Sequence, residues 1–202
     1  MPKALTDNER AHIRQRLMEE AENCLRQYGV RKTTVDELVK RARIPKGTFY
    51  LFYESKELLF YDVLLQFHES IQQELLHKLG ELSGCITPDA MTDLLFTFYQ
   101  RMESSFLYPL LTGGEIELLM QKLSPEMIAA HAQTDDFQVE QLIHLVPGID
   151  AKRVPHFSAV LRAVFLSMLH KREVGEPVFS DALYILIRGV VLQLFERDGS
   201  KV

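Results

Sequence analysis

The chain has 202 residues, a net charge of −5 and a pI near 5.8, with 47% of its residues hydrophobic. That length gives one or two compact domains, and the acidic balance excludes a generally basic nucleic-acid coat protein. Two cysteines, Cys24 and Cys85, without a C-x-x-C spacing exclude a disulfide framework and a cysteine zinc site.

Thr6-Asp7-Asn8-Glu9 is a capping box that opens a helix over Thr6–Tyr28. Ile13, Leu17, Ala21, Cys24 and Tyr28 recur every three or four residues and predict its buried stripe. Gly29 follows as the residue past its end. Thr34-Val35-Asp36-Glu37 repeats the capping signal for a short helix whose apolar side is Val35, Leu38, Val39 and Ala42. Pro45 biases Ile44 away from the α region and opens the next helix. That helix carries Lys46, Gly47, Thr48 and Tyr50. Gly47 lets the backbone approach a phosphate or base edge closely. Lys46 supplies charge, Thr48 a hydroxyl, and Tyr50 and Tyr53 phenolic groups for phosphates. Ser55-Lys56-Glu57 reads as the cap and first turn of a third helix. Two short helices joined by a tight turn are the unit that sets a recognition helix in a DNA major groove. Arg31, Lys32, Lys40, Arg41, Arg43, Lys46 and Lys56 stand against only Asp36, Glu37 and Glu54 in this stretch, a local excess of four positive charges in an acidic chain.

Thr33, Thr34, Leu38, Val39, Ala42, Ile44, Gly47, Thr48, Tyr50, Lys56 and Leu59 fall on the motif of the N-terminal DNA-binding domain of TetR (tetracycline-repressor-like) regulators, and the run Thr33–Leu59 resembles it. Three positions depart from the motif. Arg43 stands at the usual turn glycine, which implies an arginine in the left-handed region or an altered turn. Pro45 replaces a small polar residue. Phe52-Tyr53 inverts the usual ring order, leaving open which ring packs. The resemblance implies an all-α fold: a three-helix helix-turn-helix domain over 1–54, then a helical bundle over 55–202 for ligand binding and dimerisation. It implies a homodimer on a double-stranded operator, a small-molecule effector and a cytoplasmic location. Lys46, Thr48 and Tyr50 are then expected in the groove, with Gly47 close to it. Thr34, Tyr53 and Lys56 are expected at phosphates, together with Arg43, and Pro45 belongs to the expected DNA-binding set.

Beyond the motif, Ser55–Leu79 is expected as one long helix, apolar over much of its girth, which the resemblance makes the link between the two domains. A helix follows from Pro88 to Tyr108, capped by Thr87. Pro109 and Gly113-Gly114 break the next stretch. Glu115–Leu123 is a shorter helix, and another runs from Ser124-Pro125 to Val146, with a break at Thr134-Asp135-Asp136 and an end at Pro147-Gly148. Two strongly apolar helices, Val154–Arg172 and Ser180–Arg197, close the chain, and they are expected to pair with the same two helices of a second copy. Gly189 allows that approach.

Phe96, Tyr99, Met102, Phe106, Met120, Phe137, His144 and Phe165 are expected to line an apolar effector cavity, or else to be plain core. His68, His131 and His156 are further candidates for its wall, and Cys85 for a sensing thiol. No Gly-rich phosphate loop, nucleophile elbow or H-E-x-x-H is present in the sequence, so no enzyme, cofactor or metal is expected. Arg162, and Arg188 with Gln193, interrupt the best apolar runs, so no membrane span is expected. A DNA-binding protein without an effector, acting through a protein partner, is the alternative reading.

Overall fold

Thr6 closes the expected box: its amide donates to the Glu9 carboxylate at 2.8 Å, and the Glu9 amide donates back to Thr6 Oγ1 at 3.3 Å. The computed structural model describes residues 5–81, 86–130, 140, 143–144 and 149–196. The described residues are helical and contain no strand. Cys85, His131, Phe137, the 134–136 break and the helix end at Pro147-Gly148 lie outside them. By its contacts the chain divides into two units, residues 1–69 with 109–125, and residues 70–108 with 126–202.

In the first unit, α1 (Asp7–Lys32) packs on α2 (Val35–Ala42), and α2 packs on α3 (Lys46–Phe49). α1 buries Leu17, Ala21, Cys24, Leu25 and Val30. It continues past Tyr28, but Gly29 at φ 75°, ψ −174° breaks its helical path. Tyr28 is exposed and lies beneath the Arg41 guanidinium, 5.4 Å from its ring centroid. α4 (Lys56–Glu81) starts in this unit, because Leu59, Phe60 and Val63 sit in its core, past the expected domain end at residue 54. α6 (Leu107–Thr112) and α7 (Ile116–Met120) follow later in the chain, and Leu110, Leu119 and Leu123 are buried. Pro109, expected as a breaker, stands in the first turn of α6, where a missing N–H leaves no intrahelical bond unmade.

In the second unit, α5 (Pro88–Glu103) begins at Thr87, whose hydroxyl accepts the Ala90 amide. The helical segment α8 is described over 125–130. α9 (Val154–Ser167) runs into a 3₁₀ turn and then α10 (Lys171–Val174). α11 (Phe179–Phe195) packs on α5 and α9 through Phe179, Leu183, Ile187, Val191 and Leu194. These residues recur every three or four positions along one side. The helix expected from Ser180 begins one residue earlier, at Phe179, which is buried, and Ser180 falls inside its first turn. Asp89 and Asp93 on α5 hold Arg188 and Tyr184 of α11. Arg153 donates to the carbonyls of Gln193 and Glu196 at the α11 terminus, where helix carbonyls run out of intrahelical donors. Contrary to the expectation of no such stretch, Glu176–Phe195 is long and apolar enough to cross a membrane by length and composition, and only 28% of its apolar window is buried.

Candidate nucleic-acid interface

The turn between α2 and α3 is Arg43-Ile44-Pro45. Thr34 opens α2, its hydroxyl accepting the Glu37 amide at 3.2 Å. The Glu37 carboxylate does not complete the box; it takes Arg41 Nε at 2.7 Å. Arg43 ends the helix in the left-handed region, at φ 52° and ψ 48°, so this turn is made without glycine. Its amide and that of Ile44 donate back to Lys40 and Val39, satisfying terminal carbonyls. The Arg43 side chain is left exposed. Pro45 stands just before α3, and its carbonyl accepts the Thr48 amide at 2.9 Å.

α3 has four residues, too few to be stable alone. It is fixed by Phe49, which is fully buried, with Tyr50 edge-on to it at 5.3 Å and Tyr53 at 6.1 Å between ring centroids. With Phe49 inward, Lys46, Gly47 and Tyr50 face out, and Thr48 is half-buried. A Cβ built on Gly47 would meet nothing within 4 Å, and its φ is ordinary. Neither packing nor backbone conformation within the chain calls for a glycine there. Lys46 Nζ lies 2.9 Å from Asp36 Oδ1. That hydrogen bond raises the Lys46 pKa further, so the ammonium stays charged, partly offset by the Asp36 carboxylate.

Two expected phosphate ligands are elsewhere. Tyr53 is only 7% exposed, and its hydroxyl donates to Asp62 at 3.0 Å, beside Arg14, which holds the same carboxylate at 2.7 Å. Burial pushes the Tyr53 phenol up to about 12. Phe52 is half-buried under Arg10. Of the inverted pair, then, Tyr53 is the ring that packs. Lys56 turns inward as well. Its ammonium donates to the carbonyls of Val30 at 2.8 Å and Thr33 at 2.6 Å. Orphan carbonyls at the end of α1 attract the cation, as the helix dipole favours. The structure thus brings Arg43, Pro45, Lys46, Gly47, Thr48 and Tyr50 together on consecutive backbone, and gives Tyr53 and Lys56 the task of holding it.

The expected effector residues are dispersed. Tyr99, Met102 and Phe106 are buried, and Phe96 and Phe165 are half-buried. Tyr99 lies 6.0 Å from the Phe165 ring, and its hydroxyl is spent on the Leu161 carbonyl. Phe96 meets Tyr184 edge-on. His144 and His156 are exposed, and Met120 belongs to the first unit. Sequence reasoning missed Ser158, whose buried hydroxyl has no hydrogen-bond partner. It also missed Asp36 as the partner of Lys46. A long-range pairing of this kind leaves no periodic signal.

Residues 17–63 match the family of bacterial regulatory proteins described as the tetR family. The chain is 33% identical over 60 residues to YdgC, an uncharacterized HTH-type transcriptional regulator of Bacillus subtilis, across 30% of this chain and 31% of that protein. It is 31% identical over 74 residues to DhaR, an HTH-type transcriptional repressor of Mycobacterium sp., across 37% of each. These matches span about a third of the length of the curated relatives. Over 94% of this chain and 96% of the other, the fold is similar to that of Thermus thermophilus FadR, a TetR-family transcriptional repressor solved with lauroyl-CoA, at a TM-score of 0.59 and 19% identity.

Proposed function

We propose that this chain, whose residues 17–63 match the tetR family of bacterial regulatory proteins, is a regulator of that family that represses transcription as a homodimer on a double-stranded operator and is released by a small apolar molecule. The observation that carries the reading is α3, with Phe49 fully buried while Lys46, Gly47 and Tyr50 are open. Glycine inside a helix costs about 1 kcal/mol relative to alanine. An external surface that must come close to the backbone accounts for it at Gly47. Lys46, Thr48 and Tyr50 reach into the groove. Thr34 and Arg43 meet phosphates on its flank, and Pro45 sets the entry of the helix.

The last two long helices supply the dimer surface. Val160 and Leu166 on α9, and Ile185, Leu186 and Leu192 on α11, are exposed. A Cβ on Gly189 would meet nothing within 4 Å. A second copy covers this face more readily than a bilayer, since two recognition helices related by a two-fold axis are needed for two half-sites. Ile185→Glu with Leu186→Glu is expected to give monomers in sedimentation. Operator affinity should fall on the order of 100-fold or more, the loss of effective concentration between linked sites. A dimer that persists in that variant would overturn this surface.

Binding-site selection with the purified protein is expected to enrich a two-fold-symmetric site, released by a low-molecular-weight fraction of cell extract. Enrichment of no symmetric site would sink the repressor reading. The buried, unpartnered Ser158 hydroxyl supports a ligand in the second unit, because such groups are rare, and the repressor solved with lauroyl-CoA gives a precedent for an acyl group. One observation bears on the alternative, an effector-free regulator working through a protein: a half-open cleft beside Ile71, Leu75, Leu94 and Phe98, rimmed by Glu74, Lys78 and Arg101, holds about 20 Å³, room for a single water. Release by the macromolecular fraction alone would select that alternative.

Asp36 tempers the interface. Asp36→Asn removes a negative charge 2.9 Å from Lys46. Affinity for random duplex should rise roughly fivefold at low salt, the size of a 1 kcal/mol charge contact in water. Titration of a labelled random duplex by anisotropy checks it, and an unchanged affinity would remove Asp36 from the interface.

A further inference from the structure

Tyr50 and Leu51 are consecutive large apolar side chains, 52% and 63% exposed. Elsewhere among the described residues of the first unit, Tyr28 alone exposes a large apolar side chain, and Arg41 lies over its ring. A lone surface leucine needs no explanation. Leu51 is held too firmly to be an incidental one. Its amide donates to Thr48 O at 3.1 Å, and the next two amides donate to Phe49 O at 2.9 and 3.0 Å. Buried rings at Phe49 and Tyr53 pin the turn on both sides. Tyr50 closes α3 and Leu51 follows it in the turn; both are exposed, as is Gly47 shortly before them, which contributes no side chain.

We propose that Leu51 is a specificity-determining residue that packs against the 5-methyl group of a thymine in each half-site. The inference rests on α3 entering the major groove. An isobutyl group gains nothing from a phosphate. On the floor of that groove the thymine methyl is the apolar feature that a side chain can recognise. Exposed Arg43 on the adjoining backbone meets a phosphate, and exposed Lys46 enters the groove beside it. Sequence reading passes over the residue because a leucine after an aromatic pair in a helical turn looks like core.

The test is to select the operator with the wild-type protein, then replace each thymine singly by deoxyuridine, which removes the methyl and keeps the hydrogen-bonding edge. One thymine per half-site is expected to lose about fourfold in affinity on replacement, the factor given by about 0.8 kcal/mol for one buried methylene-sized group. Leu51→Ala should bind the thymine operator more weakly by at least that factor, and deoxyuridine at the same position should then cost nothing. In a selection with that variant, the thymine preference at that position should relax. A wild-type protein that is sequence-specific yet indifferent to every deoxyuridine overturns the proposal. So does a Leu51→Ala protein that keeps the full penalty. A wild-type protein that binds all duplexes alike would instead defeat the groove reading itself, at the selection step. The wild-type measurement stands whatever the variant does to folding.

Discussion

Phe49→Ala is expected to cost the first unit about 3–5 kcal/mol and, with that, its duplex binding, although no exposed residue is altered. Phe49 is the buried anchor of a four-residue helix. So short a helix has no nucleus of its own, and packing alone keeps it formed. Its ring also supports Tyr50 and Tyr53, at 5.3 and 6.1 Å. Truncation leaves a cavity in the core of the first unit, where Leu38, Ala42 and Leu59 are likewise fully buried. Against a typical total stability of about 5–15 kcal/mol, such a loss leaves a marginal domain. Phe49→Leu keeps most of the volume, should cost under about 1.5 kcal/mol, and should still bind. Urea unfolding followed by amide dispersion and operator titration reads both quantities. A Phe49→Ala protein with an unmoved midpoint would show that α3 is held by something other than this ring.

Where the sequence was legible, the determinants are local. Both threonine caps, at Thr6 and Thr34, are where S/T-x-x-E places them, because a cap involves only four consecutive residues. Arg43 at φ 52° could be read as a choice between two turns, since the position is fixed by the Ala42 helix end and Pro45. The long-range contacts were not legible. Tyr53 looks like a phosphate ligand until Asp62 and Arg14, from other helices, are set around its hydroxyl. Lys56 misleads in the same way, because the carbonyls it binds are 26 and 23 residues back. Asp36 and Lys46 are ten residues apart across a turn whose geometry decides whether they meet. Helix ends shifted for a related reason. α11 starts at Phe179, one residue before the expected Ser180, and the Phe179 ring is buried by contacts the local sequence does not show.

Lys56→Met is expected to cost about 2–4 kcal/mol of stability and to leave the salt slope of the remaining duplex binding unchanged. The methionine keeps the apolar stem and loses the ammonium. The Lys56 side chain is 19% exposed, and its ammonium serves two backbone carbonyls. Hydrogen bonds to a charged group contribute about 1.5–3 kcal/mol, and their loss leaves part-buried acceptors unsatisfied. The Val30 peptide is held from both sides. Its carbonyl accepts from Lys56, and its amide donates to the Glu115 carboxylate just before α7. Gly29 makes that approach possible, for a Cβ there would lie 2.4 Å from Glu115 Oε2. Glu115→Gln should therefore destabilise less than Lys56→Met, since an amide oxygen still accepts. The pair should be non-additive in a double-mutant cycle, because both act on the backbone of one residue, through adjacent peptides. A phosphate-binding lysine would behave in the opposite way. Its loss would leave the melting temperature in place and flatten the slope of log affinity against log salt by about 0.9. Measuring the melt and the salt slope on one preparation separates the two roles, and a flattened slope with an unmoved melt would return Lys56 to the DNA.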